Sequence, residues 1–493
     1  MVPRYSNYSQ TVRRYLEAST EKIMAVGGLR GTGKTVGILQ AGQGSDLLYV
    51  LAQKDDGKTG GDYISLIKDS EQKCIVIDEY SWIKDREGLD RYLLTAVQNG
   101  KRIVITGTES ITLDYLNYGR LIHRVDMIHT TMFPYDEYRR VYGLKHSQEA
   151  CDAYLIKGGV FEDYAMTNYE SMKSYVESAI VDNLAGYLEE IDEETARTLT
   201  YSILFKAICP SNLSTVPVLR DNKVMLDNFL DTMGVNTDLD IDPRYLRRTA
   251  EIFEQAGIIV RVPNLDQESP LEEQYYITNP SLTCQLIKAA YGIDMNSDIL
   301  GHVFEASIMV QLSMNKLSEH QVFFVNSEGQ SSPKKLDIVI TDREWEHAYF
   351  FECKHMKSHK LKDDATLLSG YIENRYLPGA DIDGRYVIYN GEPCVKEYGV
   401  GDILFIPPGS MLDNYFAFKE NVENTRRITR SPDMKGPGGF NMAEERKLAD
   451  SIARKVYNLK QDISQSIALE KERVSRSFER KAEELKHTFS FGR

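Results

Sequence analysis

Cysteine is scarce in this sequence. Six cysteines are spread over 493 residues, and no two of them have CxxC spacing. Disulfide-stapled secreted domains and structural zinc sites need clustered cysteines, so the sequence argues against both classes. Scattered thiols fit a reducing compartment, and we expect a cytoplasmic protein.

Long apolar runs are missing as well. No stretch of about 18 consecutive apolar residues occurs, which predicts that no segment spans a membrane. The opening segment, MVPRYSNYSQ, lacks the apolar centre of a secretory signal. The remaining composition, 42% hydrophobic and 27% charged, is that of an ordinary globular protein. A chain of 493 residues is too long for one hydrophobic core, so we expect about three domains.

Basic residues are fewer than acidic residues. The 59 lysines and arginines face 73 acidic residues, which leaves a net charge of −14. A chain this acidic is a poor non-specific binder of nucleic acid, although local basic clusters can still contact phosphates. Such clusters occur at Arg139–Arg140, Arg247–Arg248 and Arg426–Arg430. The composition therefore permits nucleic acid as a partner without predicting it.

A glycine-rich segment near the N-terminus has the spacing of a phosphate-binding loop. In KIMAVGGLRGTGKTVGILQ, the pattern GxxxxGK[ST] lies between an apolar run and a helix-compatible stretch. The backbone N–H groups of such a loop surround phosphates, and the helix N-terminus adds partial positive charge. Lys34 would reach the β- and γ-phosphates, and Thr35 would ligate Mg²⁺. The predicted nucleotide-binding residues of the loop are Gly28, Arg30, Gly31, Thr32, Gly33, Lys34 and Thr35.

Two further apolar strands end in polar residues. KCIVIDEY ends in Asp78, which would hold Mg²⁺, and Glu79, which would orient or deprotonate the attacking water. KRIVITGTES ends in Thr106 and Thr108, where a residue could sense the γ-phosphate, and we select Thr106 as the candidate. Parallel strands with polar carboxyl ends bind a ligand along that edge. No NKxD segment for guanine is apparent, so ATP is the predicted nucleotide.

Six segments follow one another in an order that resembles a known family. They are GGLRGTGKT, IVIDEY, IVITGTES, LNYGR, TTMFPYDEY and YLIKGGVFED. The set resembles prokaryotic AAA-type ATPases that carry a restriction-endonuclease-like domain at the C-terminus. The resemblance implies that Arg120 contacts the nucleotide, in cis or across subunits, and a surface salt bridge is the alternative. Three short segments depart from the family pattern and put the lid geometry in question. They are LRGT in the loop, YS after the acidic pair, and FED after the glycines.

Residues 166–290 are predicted to form a helical lid followed by a winged helix. Apolar residues recur at helical spacing up to residue 235, and DPRYLRRTAEIFEQAGIIVRVPNL then gives a helix and a strand, with QYYITN as a second strand. Helices followed by a two-stranded wing describe a winged helix-turn-helix. Its recognition helix would carry Arg244, Arg247 and Arg248 to DNA. A role as an ATPase lid or a protein dock is equally open.

The stretch KKLDIVITDREWEHAYFFECKH, residues 334–355, contains charges within strands that are otherwise apolar. Asp337 opens one strand, Glu352 and Lys354 end the next, and Glu305 lies upstream among the apolar residues of a helix. Charges in such strands are costly to bury unless they are paired or hold a metal. The order E…D…ExK resembles the PD-(D/E)xK nuclease core, and it lies where the ATPase family above carries that domain.

Phosphodiester cleavage explains these residue types. Asp337 and Glu352 on adjacent strands could chelate a divalent cation, with the Cys353 carbonyl as a third ligand. Glu305 could complete that shell or hold a second ion. Lys354 lies two residues after Glu352, so it points to the same sheet face and could position the attacking water. Matches to D…ExK also arise by chance, which leaves ordinary strands with structural ion pairs as the alternative.

The end of the chain is predicted to be a polar linker over 413–440 and a helix over 441–493. Between Met442 and His487 there is no proline or glycine, and apolar residues recur at steps of three, four and seven. This pattern predicts an amphipathic or coiled-coil helix. We expect it to mediate homo-oligomerisation or partner binding, with DNA contact as a lesser option.

Together these patterns predict a multidomain α/β chain. A parallel-sheet P-loop AAA-type ATPase core over 1–165 precedes the helical and winged-helix middle, an α/β endonuclease-like domain over 295–412, and the long C-terminal helix. The predicted function is an ATP-dependent or ATP-regulated nuclease that needs Mg²⁺ or Mn²⁺ and acts on nucleic acid, with DNA as the favoured substrate. The alternatives are a nucleotide-switched binding or signalling module and an ATPase that remodels proteins.

Overall fold

The structure is a computed structural model, and it describes most of the chain between residues 9 and 408. The chain divides into two units, Met1–Glu420 and Asn421–Arg493, and every described residue lies in the first. Arg120, the predicted linker and the predicted C-terminal helix lie outside the described residues. The described residues are 9–18, 21–53, 57–108, 121, 123–130, 132–145, 147–160, 166, 168–182, 184, 191–208, 222–235, 242–268, 273–292, 297–315, 320–327, 334–355, 361, 365–391 and 394–408.

A five-stranded parallel sheet forms the N-terminal part of the fold. Its strands are β1 (Ile23–Gly27), β2 (Leu47–Leu51), β3 (Cys74–Asp78), β4 (Arg102–Gly107) and β5 (Val125–His129). They lie in the order β2-β3-β4-β1-β5. Because all pairs are parallel, the glycine-rich loop after β1 and the acids that end β3 lie at the same edge of the sheet. This arrangement confirms the predicted parallel sheet and fits a P-loop ATPase core.

Helices cover both faces of this sheet. Alternate side chains of a strand point to opposite faces, and those of β1, β3 and β4 enter two separate buried clusters. One cluster includes side chains of α1 (Ser9–Glu17) and α2 (Lys34–Ala41), and the other includes those of α3 (Gly60–Asp69) and α4 (Glu87–Gln98). The sheet is therefore apolar on both sides, as a parallel sheet must be, and only its edge offers polar groups to a ligand.

Helices make up most of the middle of the chain. They are α5 (Tyr135–Tyr142), α6 (Gln148–Lys157), α7 (Tyr169–Val176), α8 (Glu193–Ile208), α9 (Asn222–Met233), α10 (Pro243–Gln255) and α11 (Pro280–Tyr291). An antiparallel ribbon of β6 (Ile259–Pro263) and β7 (Glu273–Ile277) follows α10. Helices followed by a two-stranded ribbon agree with the predicted element order, and the winged helix itself stays a prediction. Among the helices that the structure describes, none has the length and apolar character needed to cross a membrane.

A second, mixed sheet forms the C-terminal part of the described chain. Its elements in chain order are α12 (Ser297–Asn315), β8 (His320–Asn326), β9 (Lys335–Asp342), β10 (His347–Lys354), α13 (Tyr371–Tyr376), β11 (Asp381–Tyr389), β12 (Cys394–Tyr398) and β13 (Gly401–Ile406). The strands lie in the order β12-β13-β11-β10-β9-β8. Strands β8, β9 and β10 form an antiparallel meander, and β11 pairs in parallel with both β10 and β13. A helix followed by three strands is the element order predicted for this segment, and the antiparallel pairing of the strands is a finding of the structure.

Helix α12 connects the second sheet to the rest of the fold. It packs against α6 and α11 on one side and against β7 and β10 on the other. A buried glutamine fixes this junction, because Gln311 Oε1 accepts a hydrogen bond from the N–H of Tyr135 at 3.4 Å. The helix that carries Glu305 is therefore in direct contact with helices that follow the ATPase sheet.

Candidate nucleotide site and carboxylate cluster

The loop between β1 and α2 has backbone angles that only glycine adopts readily. Gly28, Gly31 and Gly33 have φ angles of 147°, 87° and 79°. Gly33 directly precedes α2, so the loop leads into a helix N-terminus, where unpaired N–H groups favour an anion. Tyr175 of α7 donates a hydrogen bond to the carbonyl of Arg30 at 3.1 Å. The loop is thus held from the helical segment as well as from the sheet.

Thr130, the residue after β5, fixes the other side of the loop. Its N–H donates to the carbonyl of Gly27 at 2.8 Å, and its hydroxyl lies 2.7 Å from that of Thr32. A Cβ atom at Gly28 would lie 2.1 Å from Thr130 Oγ1, which is far inside contact distance. Thr130 was not selected from the sequence. The available signal was its position directly after an apolar strand at the start of TTMFPYDEY.

Lys34 is buried at the centre of the loop. Its Nζ donates to the carbonyls of Gly28 at 2.8 Å and Leu29 at 3.0 Å, and the side chain is almost fully enclosed. Burial lowers the pKa of Lys34 to about 8, against the opposing effect of the Glu79 and Asp78 carboxylates. A buried ammonium that is costly to keep charged is suited to binding phosphate, whose negative charge favours the protonated form.

One carboxylate oxygen of Asp78 accepts two side-chain hydrogen bonds at the carboxyl end of β3. Thr35 Oγ1 and the Tyr49 hydroxyl donate to the same oxygen, Oδ2, at 2.7 Å and 2.5 Å. The structure therefore brings the two predicted Mg²⁺ ligands of the ATPase core, Thr35 and Asp78, into contact. Tyr49 was missed by sequence analysis, although it lies near the carboxyl end of β2, where a polar group is expected at a ligand edge.

Glu79 has a strained backbone and a partner on the next strand. Its φ of 54° is unusual for a residue other than glycine, and such strain tends to occur at functional sites. Burial raises the pKa of its carboxyl group, although Lys34 opposes the shift. Thr108 donates to this carboxylate through its hydroxyl at 3.2 Å and its N–H at 3.3 Å. Thr106 lies fully buried within β4, so Thr108 is the better placed of the two threonines to sense a nucleotide.

The second set of predicted residues lies where α12, β9 and β10 meet. Phe351 of β10 pairs with Ile338 of β9, which places Glu352 opposite Asp337. Like charges directly opposite each other are unfavourable, and here they are offset in two ways. Lys354 Nζ donates to Glu352 Oε1 at 2.5 Å. The N–H of Cys353, the residue predicted to ligate metal through its carbonyl, donates to Asp337 Oδ2 at 2.6 Å.

The charges of this carboxylate cluster, which consists of Glu305, Asp337, Glu352 and Lys354, act strongly on one another. Burial and the Glu352 carboxylate raise the pKa of Glu305 to about 7. Burial and both neighbouring glutamates raise the pKa of Asp337 well above its usual range. Burial alone would lower the pKa of Lys354, but Glu352 and Asp337 outweigh it and raise that pKa overall. Full ionisation of the three acids is therefore disfavoured, because one lysine cannot neutralise all of them.

The carboxylate oxygens of the cluster do not converge on one point. Within the described part of the chain, only Asp342, Glu346 and His347 have ligand atoms that all lie within 4.8 Å of one another. That group is largely exposed, and Asp342 uses its carboxylate to cap the turn before β10. The four predicted nuclease residues are thus neighbours. The Glu352 carboxylate pairs with Lys354, and its oxygens do not converge with those of Glu305 and Asp337 on one point.

The arginines predicted for DNA contact lie on α10. The side chain of Arg244 is 91% exposed and pairs with Asp242 at 2.5 Å, and Arg247 and Arg248 are exposed as well. These three residues give the N-terminal half of α10 a basic surface on a chain that is acidic overall. Their exposure is compatible with a nucleic-acid contact and equally with a solvated helix face.

No protein-family model and no curated protein matches this chain. Among solved structures, the Thermotoga maritima RuvB Holliday junction branch migration motor is 12% identical over 51% of this chain and 70% of that chain, with a TM-score of 0.20. The Aeropyrum pernix ORC1 protein in complex with DNA is 12% identical over 58% and 90%, with a TM-score of 0.23. The S. cerevisiae Hsp104–ADP complex is 11% identical over 64% and 56%, with a TM-score of 0.28. At such scores these similarities carry no conclusion about function, which has to come from the residues themselves.

We expect Gly28→Ala to destabilise the fold strongly. The new Cβ would lie 2.1 Å from Thr130 Oγ1 and 2.6 Å from the Thr130 carbonyl oxygen, at a φ of +147°. Overpacking and backbone strain together predict a loss of about 2–5 kcal/mol in the free energy of unfolding, measured by chemical denaturation. Gly44→Ala is the matched control, because Gly44 also has positive φ but no atom within 4 Å of the new Cβ. Equal losses in the two variants would show that Thr130 does not restrict the loop.

ATP affinity should fall as the pH rises above about 8. Lys34 has a pKa of about 8 in the structure, and a phosphate favours its charged form, so binding takes up a proton above that pH. Affinity should be nearly constant from pH 7 to 8 and then decrease by about tenfold per pH unit, as measured by titration calorimetry. Lys34→Arg keeps its charge throughout this range and should show no such slope, whatever its absolute affinity. A flat profile in the wild type would contradict the assignment.

Proposed function

We propose that the chain is an ATP-binding, Mg²⁺-dependent ATPase joined to a metal-dependent nuclease that acts on nucleic acid, with DNA as the favoured substrate. The observation that carries the nuclease half is the placement of Glu305, Asp337, Glu352 and Lys354 at one junction of α12, β9 and β10. Carboxylates from a helix and two adjacent strands, with a lysine beside them, are the donor set that divalent-metal phosphodiester chemistry needs.

The ATPase half rests on the edge of the first sheet. The Thr35 hydroxyl and the Asp78 carboxylate are hard oxygen ligands in direct contact, and they fit Mg²⁺, which would neutralise phosphate charge when bound. Lys34 lies in the loop where the β- and γ-phosphates would bind. Glu79 is oriented by Thr108 and would align a water molecule for attack on the γ-phosphate.

The nuclease half rests on the penalty for ionising the buried carboxylate cluster. The pKa values of Glu305 and Asp337 are raised because burial and like charge disfavour ionisation, and a divalent cation would relieve both effects. All donors are oxygens, which fits Mg²⁺ or Mn²⁺. Lys354 keeps its proton and would hold a water molecule or stabilise the charge that develops on the phosphate.

DNA is favoured over other phosphodiesters by the basic surface of α10. Arg244, Arg247 and Arg248 are exposed on the helix before the antiparallel ribbon, where a winged helix would contact a duplex. Homo-oligomerisation through the predicted C-terminal helix belongs to this proposal as well, and that helix lies outside the described residues.

A second candidate function is a nucleotide-switched binding module in which the second sheet only holds nucleic acid or a protein. The observation that favours it is the pairing of Glu352 with Lys354 at 2.5 Å, while the three acids do not converge within 4.8 Å. An ion pair of this kind is also what a structural cluster would form. This candidate predicts nucleic-acid binding without any metal-dependent product.

Cleavage assays test the proposal on the purified full chain. Linear and circular DNA and RNA are incubated with Mn²⁺ or Mg²⁺, with and without ATP, and products are resolved on gels. We expect cleavage by the wild type and a loss of at least about 100-fold in Asp337→Asn and Glu352→Gln, because each removes a charged ligand from the metal. Lys34→Ala should instead remove the effect of ATP on cleavage.

Glu397→Gln is the matched control for these variants. Glu397 is an exposed acid on β12 of the same sheet, so the charge change is equal while the cluster stays intact. The nuclease half is wrong if no wild-type product forms under any condition, or if the cluster variants cut as well as Glu397→Gln does. Mn²⁺ binding that depends on Asp337 without cleavage would identify the binding module.

A further inference from the structure

His355, the residue after β10, lies where three other elements meet. Its Nε2 is 2.7 Å from Asp152 Oδ1 on α6, and its side chain is only 8% exposed. Its ring contacts that of Phe304 on α12 at a centroid distance of 5.7 Å. Asn390, just after β11, donates to the His355 carbonyl at 3.2 Å. The residue adjacent to Lys354 is therefore held by α6, α12 and the end of β11 together.

Gln148 completes the contact with α6. It lies one helical turn before Asp152, and its Nε2 is 2.9 Å from Asp152 Oδ1 and 3.0 Å from His355 Nε2. Gln148 Nε2 donates to Asp152 Oδ1, and His355 Nε2 either donates to the same oxygen or accepts from Gln148, depending on its tautomer. The imidazole is thus fixed by two side chains of a helix that belongs to the ATPase half of the chain.

Helix α6 is tied in turn to the segment that fixes the P-loop. Phe133, three residues after Thr130, donates its N–H to the carbonyl of Gly159 at 2.8 Å, just beyond the end of α6. The hydroxyl of Tyr154, on α6, donates to the carbonyl of Phe133 at 2.9 Å. A shift of the loop against Thr130 would therefore reach α6 through the hydrogen bonds that the N–H and the carbonyl of Phe133 make.

The same segment also contacts α12. The N–H of Tyr135 donates to Gln311 Oε1 at 3.4 Å, and Gln311 Nε2 approaches the Tyr154 hydroxyl at 3.5 Å. Residues 132–135 consequently touch both helices that flank His355. Close packing transmits strain, so a displacement at the P-loop would be passed through this segment to α6 and α12.

We propose that His355 is a positioning residue of the carboxylate cluster and that its contact with Asp152 is the connection through which nucleotide at the P-loop regulates that cluster. The proposal rests on the nucleotide and metal sites proposed above and names the residues that link them. His355 directly follows Lys354, whose ammonium engages Glu352 at 2.5 Å. A small movement of His355 therefore changes the distance between Lys354 Nζ and Glu352 Oε1, and metal access to Glu352 depends on that distance.

Hydrogen exchange measured by mass spectrometry tests this connection in the full chain. Exchange is compared with and without a non-hydrolysable ATP analogue and Mg²⁺, in peptides that cover 27–41 and 350–355. In the wild type, nucleotide should change exchange in both peptides. In Asp152→Ala, the response of 27–41 should remain, while the response of 350–355 should fall by about fivefold or more. Asp152→Asn keeps an acceptor oxygen and should retain most of the response.

Glu149→Ala is the matched control, because Glu149 is an exposed acid on the same helix. It should respond as the wild type does. The connection is refuted if 350–355 still responds in Asp152→Ala, or if only 27–41 responds in the wild type. It is also refuted if Asp152→Ala raises exchange of 350–355 equally with and without nucleotide, since that outcome indicates a purely structural contact.

Cleavage assays on the same proteins separate this inference from the proposed function. If the wild type cleaves nucleic acid, the ratio of its cleavage rates with and without ATP measures the effect of ATP. This effect should be about fivefold smaller in Asp152→Ala, so the ratio should lie closer to one. If the wild type cuts nothing while 350–355 responds to nucleotide, the nuclease half fails and the connection stands as the regulator of a binding surface. If the 27–41 peptide does not respond, the connection has no input, and both proposals are overturned.

Discussion

The contact between Thr130 and the P-loop constrains the rest of the structure. β1 and β5 are parallel neighbours, so the loop that follows one strand and the segment that follows the other meet at the same edge. Thr130 fills the space beside Gly28 and bonds to Gly27 and Thr32, which leaves the loop no freedom to change shape alone. Any ligand that moves the loop must therefore move the segment leading to α5 and α6.

Both candidate sites place charge where burial makes it costly. Lys34 has a lowered pKa because it is buried, and Glu305 and Asp337 have raised pKa values because they are buried beside another acid. Glu79 adds backbone strain of about 1–3 kcal/mol. None of these features helps the fold, and perturbed groups of this kind cluster at functional sites. A phosphate at the first site and a divalent cation at the second would each relieve the penalty of the charges around it.

The sequence was sufficient to predict features that depend on neighbouring residues. Apolar runs ending in Asp78 or in the glycine loop predicted parallel strands, and the pattern around E…D…ExK predicted a helix followed by three strands, without their directions. Contacts between distant segments were not predictable. The partners of Asp78 and Glu79 at Tyr49 and Thr108 depend on the order of strands in the sheet, which no local pattern specifies.

The contact of His355 could not be predicted from the sequence. It matters for how the carboxylate cluster can be regulated. A histidine beside an ExK motif looks like an ordinary polar neighbour, and its partner Asp152 lies 203 residues away. Lys354 and the N–H of Cys353 occupy one oxygen of Glu352 and one of Asp337. A pKa of about 7 means that Glu305 is about half protonated at neutral pH. Metal binding therefore requires proton loss from both Glu305 and Asp337, whose pKa is raised as well, and a shift of Lys354 away from Glu352.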